Sequence, residues 1–311
     1  MKERVLIFGG SGSFGTAMTK RILEQYDDEI VIFSRNEKEQ FNHKQKFNSE
    51  RIKYIIGDIR DYEAVYNALD GVDYVMLASA MKHIDKCESN PNECRKTNID
   101  GCINVINASI ERKVKKVIFL STDKATNPST IYGCSKLFVE MYCQCVDNKD
   151  TEIIRTRYGN VFGSNGSVAW IFDKLSRENK KLTITNPDMT RFFMSLDEAV
   201  DLVIYALQKG KHKDLWVYKN KSCTIKELAD LFSDNQEVIG NRCEEKTDEA
   251  LLTVNELNHS AEYGNYIRVN EEINNDYGYI RPLTSDTAER LTREELQELL
   301  DSWRQYENIG S

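Results

Sequence analysis

Short apolar runs alternate with amphipathic stretches through the first half of the chain, and this alternation limits the fold more than any other feature. Segments between the apolar runs have helical spacing, as in "GTAMTKRILEQY". Repeated strand–helix units of this length predict a parallel, doubly wound α/β sheet with right-handed crossovers. The strand candidates are Val5–Phe8, Ile30–Phe33, Tyr54–Ile56, Tyr74–Leu77, Val117–Leu120 and Ile153–Thr156.

The C-terminal half has a looser pattern. Helical periodicity is present in "SVAWIFDKLSRENKK", "SLDEAVDLVIYALQKG" and "TREELQELLDSW", and "DLWVYK" is a further strand candidate. Two of these helices open with a capping box, Ser195 to Glu198 and Thr292 to Glu295. The pattern predicts a smaller, mixed α/β part that covers the carboxyl ends of the sheet, where doubly wound folds bind ligands.

Composition excludes several classes of protein. The formal net charge is −8, which argues against nucleic acid or an anionic membrane as a bulk electrostatic partner. No apolar run approaches the ~20 residues that a membrane helix needs. The N-terminal apolar stretch Val5–Phe8 is too short for a signal peptide, so a cytoplasmic protein is expected.

The chain has eight cysteines and no C-x-x-C pair, which predicts free thiols. Cys143 and Cys145 are spaced closely enough to suggest a metal ligand pair. Such side chains point away from each other on a helix, so burial of one cysteine is the favoured interpretation and no metal is expected.

A glycine-rich loop, "GGSGSFG", follows the first strand candidate. Glycines permit a tight turn and a close approach to a pyrophosphate, and the next helix adds its dipole and free N–H groups. A simple strand–helix turn is the other interpretation, but the position between a strand and a helix favours a nucleotide-binding, Rossmann-type domain. The residues predicted to bind the cofactor here are Gly9, Ser11, Gly12, Ser13, Phe14 and Gly15.

The end of the second strand candidate indicates which dinucleotide is bound. NAD sites usually have an acidic residue there, whereas this chain has Ser34 and Arg35, with Lys38 close behind. A hydroxyl and a guanidinium suit a 2′-phosphate, so NADP is favoured over NAD, although a solvated charged turn explains the same residues. The "GDIRD" segment offers Asp58 and Ile59 to the adenine end.

These patterns divide the chain into two predicted domains. Residues 1–162 are predicted to form an NADP-binding Rossmann domain. Residues 163–311 are predicted to form mainly a substrate domain, with the segment 195–220 packing back onto the first domain.

Tyr132 and Lys136 lie at the start of a predicted helix after the fifth strand candidate. At positions i and i+4 their side chains share one helix face. A nearby ammonium stabilises a phenolate and so lowers the pKa of a tyrosine. Tyr132 is therefore a candidate base that takes a hydroxyl proton while a hydride leaves for the nicotinamide.

At this point the chain resembles the extended short-chain dehydrogenase/reductases, and in particular the inverting UDP-N-acetylglucosamine 4,6-dehydratases of bacterial surface-sugar pathways. The resemblance covers nearly the whole length. In that comparison, dehydratase-epimerases carry methionine where this chain has Tyr132, and nucleotide-glucose 4,6-dehydratases carry Asp-Glu where it has Asp123-Lys124. The motifs that carry the resemblance are "GGSGSFG", "SRNEKEQ", "GDIRD", "MKHIDKCESNPNECRKTNIDGCINVINA", "LSTDKATNPSTIYGCSK", "RYGNVFGSNGS", "MTRFFMSLDEAV" and the weaker "GNRCEEKTDEAL".

The resemblance implies a second base and an acid beside Tyr132. Oxidation at carbon 4 of the sugar gives a ketone, which acidifies the hydrogen on carbon 5. Lys124 is then the base at carbon 5, and Asp123 is the acid for the hydroxyl that leaves carbon 6. Hydride returns to carbon 6, and a proton returns to carbon 5 on the opposite face. Thr122 and Ser121 are expected to orient the sugar hydroxyl and the nicotinamide.

These roles need a lysine that is neutral and an aspartate that is protonated for part of the cycle. Burial favours both states and mutual attraction opposes both, so the pair would titrate together. An exposed turn with a solvated pair is the other interpretation. The position of Asp123 and Lys124, just past a strand and before the Tyr132 helix, favours the catalytic interpretation.

The resemblance also assigns residues to the two ligands. The loop "NRCEEK" departs from the family's R-P-G-E-K. Surface ion pairs worth ~0–1 kcal/mol are the other interpretation of Arg191 and Arg242. Asn98 either bridges to Lys136 through water or joins packed helices. Further cofactor residues are Ala78, Ala80, Lys82, Leu120, Ser121, Tyr132 and Lys136. Substrate residues are Lys82, Asn160, Val161, Arg191, Arg242 and Glu245.

The predicted function is NADP-dependent dehydration of a UDP-sugar, UDP-N-acetylglucosamine, with inversion at carbon 5. A sugar epimerase or reductase on the same fold would keep Tyr132 and Lys136 but would not need Asp123 and Lys124. A non-catalytic NADP-sensing protein usually lacks the tyrosine or the lysine. A homo-oligomer is expected, with amphipathic helices such as 91–112 and 131–147 as candidate contacts.

Overall fold

The structure is a computed structural model that describes residues 2–148, 150–241, 245–275 and 281–308. Up to residue 157 its elements are β1 (Arg4–Phe8), α1 (Ser13–Gln25), β2 (Glu29–Ser34), α2 (Glu37–Phe47), β3 (Ile52–Ile56), α3 (Tyr62–Ala68), β4 (Tyr74–Leu77), α4 (Ile84–Ser89), α5 (Pro91–Cys94), a π-helical segment (Arg95–Asp100), α6 (Gly101–Glu111), β5 (Lys116–Leu120), a 3₁₀ turn (Asp123–Ala125), α7 (Ile131–Cys145) and β6 (Glu152–Arg157).

From residue 160 onward the elements are β7 (Asn160–Val161), α8 (Val168–Arg177), β8 (Leu182–Ile184), β9 (Thr190–Met194), α9 (Leu196–Lys209), β10 (Leu215–Tyr218), β11 (Lys221–Thr224), α10 (Ile225–Ala229), β12 (Gln236–Val238), β13 (Ala250–Leu252), α11 (Val254–Asn258), β14 (Ser260–Tyr263), β15 (Tyr266–Val269), β16 (Leu283–Thr284) and α12 (Arg293–Asn308).

The chain divides into two compact units. The first consists of the residues up to Ser121 together with Thr130–Arg157 and Val200–Trp216. The second consists of Thr122–Ser129, Tyr158–Ala199 and the residues from Val217 onward. A single boundary after residue 162 stays a prediction, because the chain passes between the units at several points.

The first unit is built on a parallel sheet with the strand order β3-β2-β1-β4-β5-β6. Neighbouring strands are parallel throughout this part of the sheet. This is the strand order of doubly wound dinucleotide-binding folds, and it confirms the predicted fold class. The six strand candidates from the sequence are all strands in the structure.

The core of the first unit explains why its strands have continuous apolar sequences. Val5–Phe8 of β1 is at most 2% exposed, since helices cover both faces of a parallel sheet. The rings of Phe8 and Phe33 pack with their centroids 4.9 Å apart. Apolar residues of α3, α6 and α7 join the same cluster, so the sheet and these helices form one core.

A buried ion pair joins α7 to β6. Arg157 of β6 donates to Glu140 of α7, with 3.1 Å between Nε and Oε1. Both side chains are only 2% exposed. Because α7 carries Tyr132 and Lys136, this pair anchors the helix on which the predicted redox residues lie.

The second unit is mixed α/β. In its three-stranded sheet β9 pairs with β7 in parallel and with β11 antiparallel. Two capping boxes predicted from the sequence are confirmed, Ser195 with Glu198 before α9 and Thr292 with Glu295 before α12. The core contains the aromatic residues Phe162, Phe172, Phe193 and Trp303.

Two further observations concern membrane spans and cysteines among the described residues. Within the described ranges, no helix is long and apolar enough to cross a membrane. The described cysteines are free thiols, and five of them, Cys87, Cys94, Cys102, Cys143 and Cys223, are buried.

Candidate active site

The glycine-rich loop turns tightly between β1 and α1. Gly9 has φ +80°, and a Cβ there would lie 2.9 Å from the backbone nitrogen of Ser79. A Cβ on Gly15 would clash with the backbone of Gly10. Gly12, the N-cap of α1, provides no side-chain cap, so N–H groups of the first turn are left for a phosphate. These features fit the pyrophosphate of a dinucleotide.

A polar cluster lies where the glycine loop meets the end of β2. Ser11 Oγ donates to Ser34 Oγ over 2.9 Å and to Glu39 Oε2 over 3.3 Å. Gln40 donates to the same Ser34 hydroxyl over 3.0 Å. Glu39 was not predicted from the sequence as a residue next to the glycine loop. It lies within α2, beyond the strand end where the residues that select the cofactor usually lie.

Arg35 and Asp58 are brought together at the ends of β2 and β3. Arg35 is exposed and its Nη1 lies 3.7 Å from Asp58 Oδ2, to which Arg60 also bonds over 2.6 Å. Burial acts to raise the pKa of Asp58, but its hydrogen bonds to Arg60 and the charges of both arginines outweigh this and hold the pKa below its ordinary value. Lys38 is exposed, whereas the side chain of Ile59 is buried in the core and leaves only its backbone available to a ligand.

The predicted cofactor residues after β4 lie in an irregular loop. The N–H of Ala78 donates to Phe8 O over 3.0 Å and so extends the pairing of β4 with β1. Ala80 is half-buried and Lys82 is exposed. The loop thus begins as part of the sheet and ends at the surface.

Asn98 holds this loop from the π-helical segment. Its Oδ1 accepts from the N–H of Met81 over 2.7 Å, and its Nδ2 donates to Met81 O over 2.9 Å. The same Nδ2 lies 3.1 Å from Ser135 Oγ of α7. Asn98 therefore joins packed elements, while a water bridge from it to Lys136 stays a prediction. The predicted helix 91–112 is divided here by π-helical geometry, which often marks functional sites.

Tyr132 and Lys136 lie in the first turns of α7 and are both buried. Lys136 Nζ donates to Leu120 O at the end of β5 over 2.8 Å. Burial lowers the pKa of Lys136 from its ordinary value. Tyr132 packs in an apolar cluster with Cys87 and Cys94. The structure thus places the predicted pair on one helix, with the lysine tied to the strand that leads into the loop of Ser121.

Asp123 and Lys124 form an ion pair in the second unit, in which Asp123 is buried and Lys124 is half-buried. The N–H of Asp123 donates to Tyr158 O over 3.0 Å and fixes the 3₁₀ turn. Asp123 is 0% exposed, and its Oδ1 accepts from Thr122 Oγ1 over 2.9 Å and from Lys124 Nζ over 3.0 Å. No donor in the described residues reaches Asp123 Oδ2, and none reaches the buried Oγ of Ser121. The interpretation as an exposed turn is therefore wrong.

Asn160 completes the surroundings of Lys124. Lys124 Nζ donates to Asn160 Oδ1 over 3.1 Å. Asn160 and Val161 form β7, which pairs with Phe193 and Met194 of β9. This pairing holds Asn160 against the lysine, so two of the residues predicted from different motifs meet.

Arg191 is bound by the protein itself. Its Nη1 donates to the backbone oxygens of Thr190 over 2.7 Å and Thr247 over 2.9 Å, and its Nη2 donates to Lys246 O over 2.8 Å. Lys246 Nζ in turn donates to Thr126 O over 3.0 Å. The arginine thus holds the segment after Glu245, and a direct contact with substrate stays a prediction.

The remaining predicted residues are placed less fully. Glu245 is described and half-buried, while Arg242 lies outside the described residues. In the described part of the chain, no three His, Cys, Asp or Glu side chains are grouped as metal ligands.

The profile of the family described as "Polysaccharide biosynthesis protein" matches residues 5–271. The chain belongs to this family. An inverting UDP-N-acetylglucosamine 4,6-dehydratase from Campylobacter jejuni subsp. jejuni serotype O:2 is 41% identical over 280 residues, 88% of this chain and 84% of the relative. The chain is therefore similar to an inverting UDP-N-acetylglucosamine 4,6-dehydratase, as its motifs indicated, and the resemblance is confirmed.

Other relatives have a different name. A UDP-glucose 4-epimerase from Rickettsia canadensis is 38% identical over 325 residues, 96% of this chain and 95% of the relative. The X-ray structure of Pen from Bacillus thuringiensis superposes with a TM-score of 0.90 at 33% identity, covering 97% of this chain and 98% of the other. The named sequence relatives are enzymes that modify nucleotide sugars, by dehydration in one case and by epimerisation in the other.

Proposed function

We propose that this protein is an NADP-dependent, configuration-inverting UDP-N-acetylglucosamine 4,6-dehydratase. Its product would be UDP-2-acetamido-2,6-dideoxy-L-arabino-hexos-4-ulose. The observation that carries the proposal is the ion pair between the buried Asp123 and Lys124, because an epimerase needs Tyr132 and Lys136 but no further acid and base. The similarity to the Campylobacter jejuni dehydratase supports the same reaction.

NADP would supply the acceptor for the hydride from carbon 4 and the donor of the hydride to carbon 6. The glycine turn and the N-terminus of α1 would hold its pyrophosphate. Ser34 and the exposed guanidinium of Arg35 would hold the 2′-phosphate, since arginine bonds phosphate oxygens in pairs.

Tyr132 would take the proton of the hydroxyl on carbon 4. Lys136 stands one helical turn from it and is oriented by Leu120 O. An ammonium near a phenol favours removal of its proton, and this would be the role of Lys136 in the proton transfer.

Lys124 would take the proton from carbon 5, and Asp123 would protonate the hydroxyl that leaves carbon 6 as water. When hydride returns to carbon 6, a proton from solvent would return to carbon 5 on the opposite face. The carboxyl group of Asp123 suits the role of the acid because its two oxygens differ. Oδ1 accepts two hydrogen bonds and Oδ2 accepts none from the described residues. A proton on Oδ2 therefore disrupts no hydrogen bond to the described residues.

The rival function is epimerisation, which the name of the Rickettsia canadensis relative favours. Incubation of the purified protein with UDP-N-acetylglucosamine, without added reductant, separates the two by mass spectrometry. A product lighter by one water supports dehydration. A product of unchanged mass with inverted carbon 4 supports epimerisation, and unchanged substrate with bound NADP supports the sensing protein.

A further inference from the structure

The first turn of α7 receives a hydrogen bond from a distant helix. The N–H of Ile131 donates to Glu88 Oε1 of α4 over 2.7 Å, across 43 positions in sequence. The N-cap residue Thr130 serves the same turn, because its hydroxyl accepts from the N–H of Gly133 over 3.0 Å. The helix that carries Tyr132 thus has two caps, one local and one from α4.

The same region holds the tyrosine through further contacts. Tyr132 packs against the buried thiols of Cys87 and Cys94, and Cys87 precedes Glu88 in α4. The hydroxyl of Ser135 donates to Tyr132 O over 2.7 Å. Residues of α4, α5 and the second turn of α7 therefore pack around the first turn of α7. Among them, Glu88 bonds the backbone of that turn with a charged side chain.

A carboxylate is well suited to this position. It accepts a charge-assisted hydrogen bond from an N–H group that has no partner within the helix. It also interacts favourably with the positive end of the helix dipole. Ile131 is adjacent to Tyr132 in the chain, so a cap at Ile131 limits the motion of the turn that carries the phenol.

We propose that Glu88 is a positioning residue for Tyr132. It holds the first turn of α7 so that the phenol stays within reach of the hydroxyl on carbon 4. This inference rests on the proposed function, in which Tyr132 takes that proton. A shift of about 1 Å in a catalytic group can lower a rate by about 100-fold, so loss of one cap is expected to slow the oxidation step.

The test compares Glu88→Ala and Glu88→Gln with a control, Asp85→Ala. Asp85 is an exposed carboxylate on the same helix α4. Glu88→Ala is expected to lower kcat about 10-fold while KM and NADP content change less than about 2-fold. Glu88→Gln keeps an acceptor oxygen, so it is expected to retain kcat within about 3-fold of the wild type. The control is expected to behave as the wild type.

A kinetic isotope effect identifies the step. With substrate deuterated at carbon 4, Glu88→Ala is expected to show a larger isotope effect on kcat than the wild type, because the hydride step becomes more rate-limiting. A merely structural role would lower the melting temperature without this change. Wild-type kcat and isotope effect in Glu88→Ala would overturn the inference.

Amide hydrogen exchange separates this inference from the proposed function. Exchange at Ile131 and Tyr132 is expected to be faster in Glu88→Ala than in the wild type and in Glu88→Gln. Unchanged exchange overturns the inference even if the wild type dehydrates UDP-N-acetylglucosamine. A wild type without turnover overturns the proposed function, and the exchange comparison still decides whether Glu88 caps the helix.

Discussion

The ammonium of Lys124 lies 3.0 Å from Oδ1 of the fully buried Asp123. The two groups are neighbours in sequence, and a 3₁₀ turn directs both side chains to the same side. Thr122 and Asn160 supply the remaining polar contacts of the pair. Loss of Lys124 would leave the carboxylate of Asp123 buried without its cationic partner, which is costly.

Asp123→Asn is expected to abolish most dehydration. The amide has nearly the shape of the carboxyl group but cannot deliver a proton to the leaving hydroxyl. A loss of about 10²- to 10⁴-fold in kcat is expected, with NADP content unchanged. Steady-state kinetics with UDP-N-acetylglucosamine measures it, and Asp188→Asn, at an exposed carboxylate of the second unit, is the control. Activity within 10-fold of the wild type would exclude Asp123 as the acid.

Arg35→Ala is expected to reduce the preference for NADP over NAD. The guanidinium is exposed, and its ion pair with Asp58 is long, with 3.7 Å between Nη1 and Oδ2. It can therefore turn toward a 2′-phosphate. Loss of a charge-assisted hydrogen bond weakens NADP binding by about 10- to 100-fold, and NAD binding by less than about 3-fold. Calorimetric titration of both cofactors measures the ratio, with Lys53→Ala on the edge strand as control. Equal weakening of both cofactors would contradict the assignment.

Glu140→Gln is expected to destabilise the protein strongly. The change leaves the charge of Arg157 buried without its partner, at a site where both side chains are 2% exposed. Breaking such a pair costs about 3–5 kcal/mol of the free energy of unfolding, whereas an exposed pair contributes about 0–1 kcal/mol. Urea denaturation compares it with Asp100→Asn, which removes the exposed pair with Arg95. Similar effects of the two substitutions would show that burial of the pair is unimportant.

Stability is expected to fall below neutral pH because of His43. Burial, aided by the charge of Lys46, lowers the pKa of His43 to about 4. The unfolded chain has a pKa of about 6.5 and binds the proton first, so the contribution is complete above about pH 6.5 and is lost as pH falls toward 4. The full loss is about 3 kcal/mol.

Urea midpoints at several values of pH check this linkage. His43→Gln should weaken the pH dependence between 6.5 and 4, while titration of the carboxylates contributes equally to wild type and variant. His83→Gln, at an exposed histidine, should leave the dependence unchanged. The same pH dependence in all three proteins would contradict the assignment to His43.

The strands and capping boxes could be predicted from sequence because local patterns determine them. Val5–Phe8 is apolar at every position because both faces are covered, and Ser195 reaches Glu198 within one turn. The π-helical segment, whose Asn98 bonds to Met81 of a distant loop, could not be predicted. Helical periodicity alone does not separate π from α geometry.

The site could be predicted in its residues but not in all its contacts. Motif position identified Asp123 and Lys124, and burial then decided against an exposed turn. Arg191 was predicted as a substrate residue, and no sequence pattern indicated that it also donates to three backbone oxygens of the protein, which lie up to 56 positions away. Glu88 was missed because its partner lies 43 positions away, and no local pattern records such a contact.

The most direct test of the proposed reaction is proton NMR of UDP-N-acetylglucosamine incubated with the protein in heavy water without reductant. The proposal predicts loss of one water, one deuterium on carbon 5 and inverted configuration at that carbon, because Lys124 would remove the original proton and a solvent deuteron would replace it on the opposite face. Loss of water with deuterium but retained configuration would contradict the inversion. Substrate that keeps its oxygen on carbon 6 and its hydrogen on carbon 5 would contradict the roles of both Asp123 and Lys124.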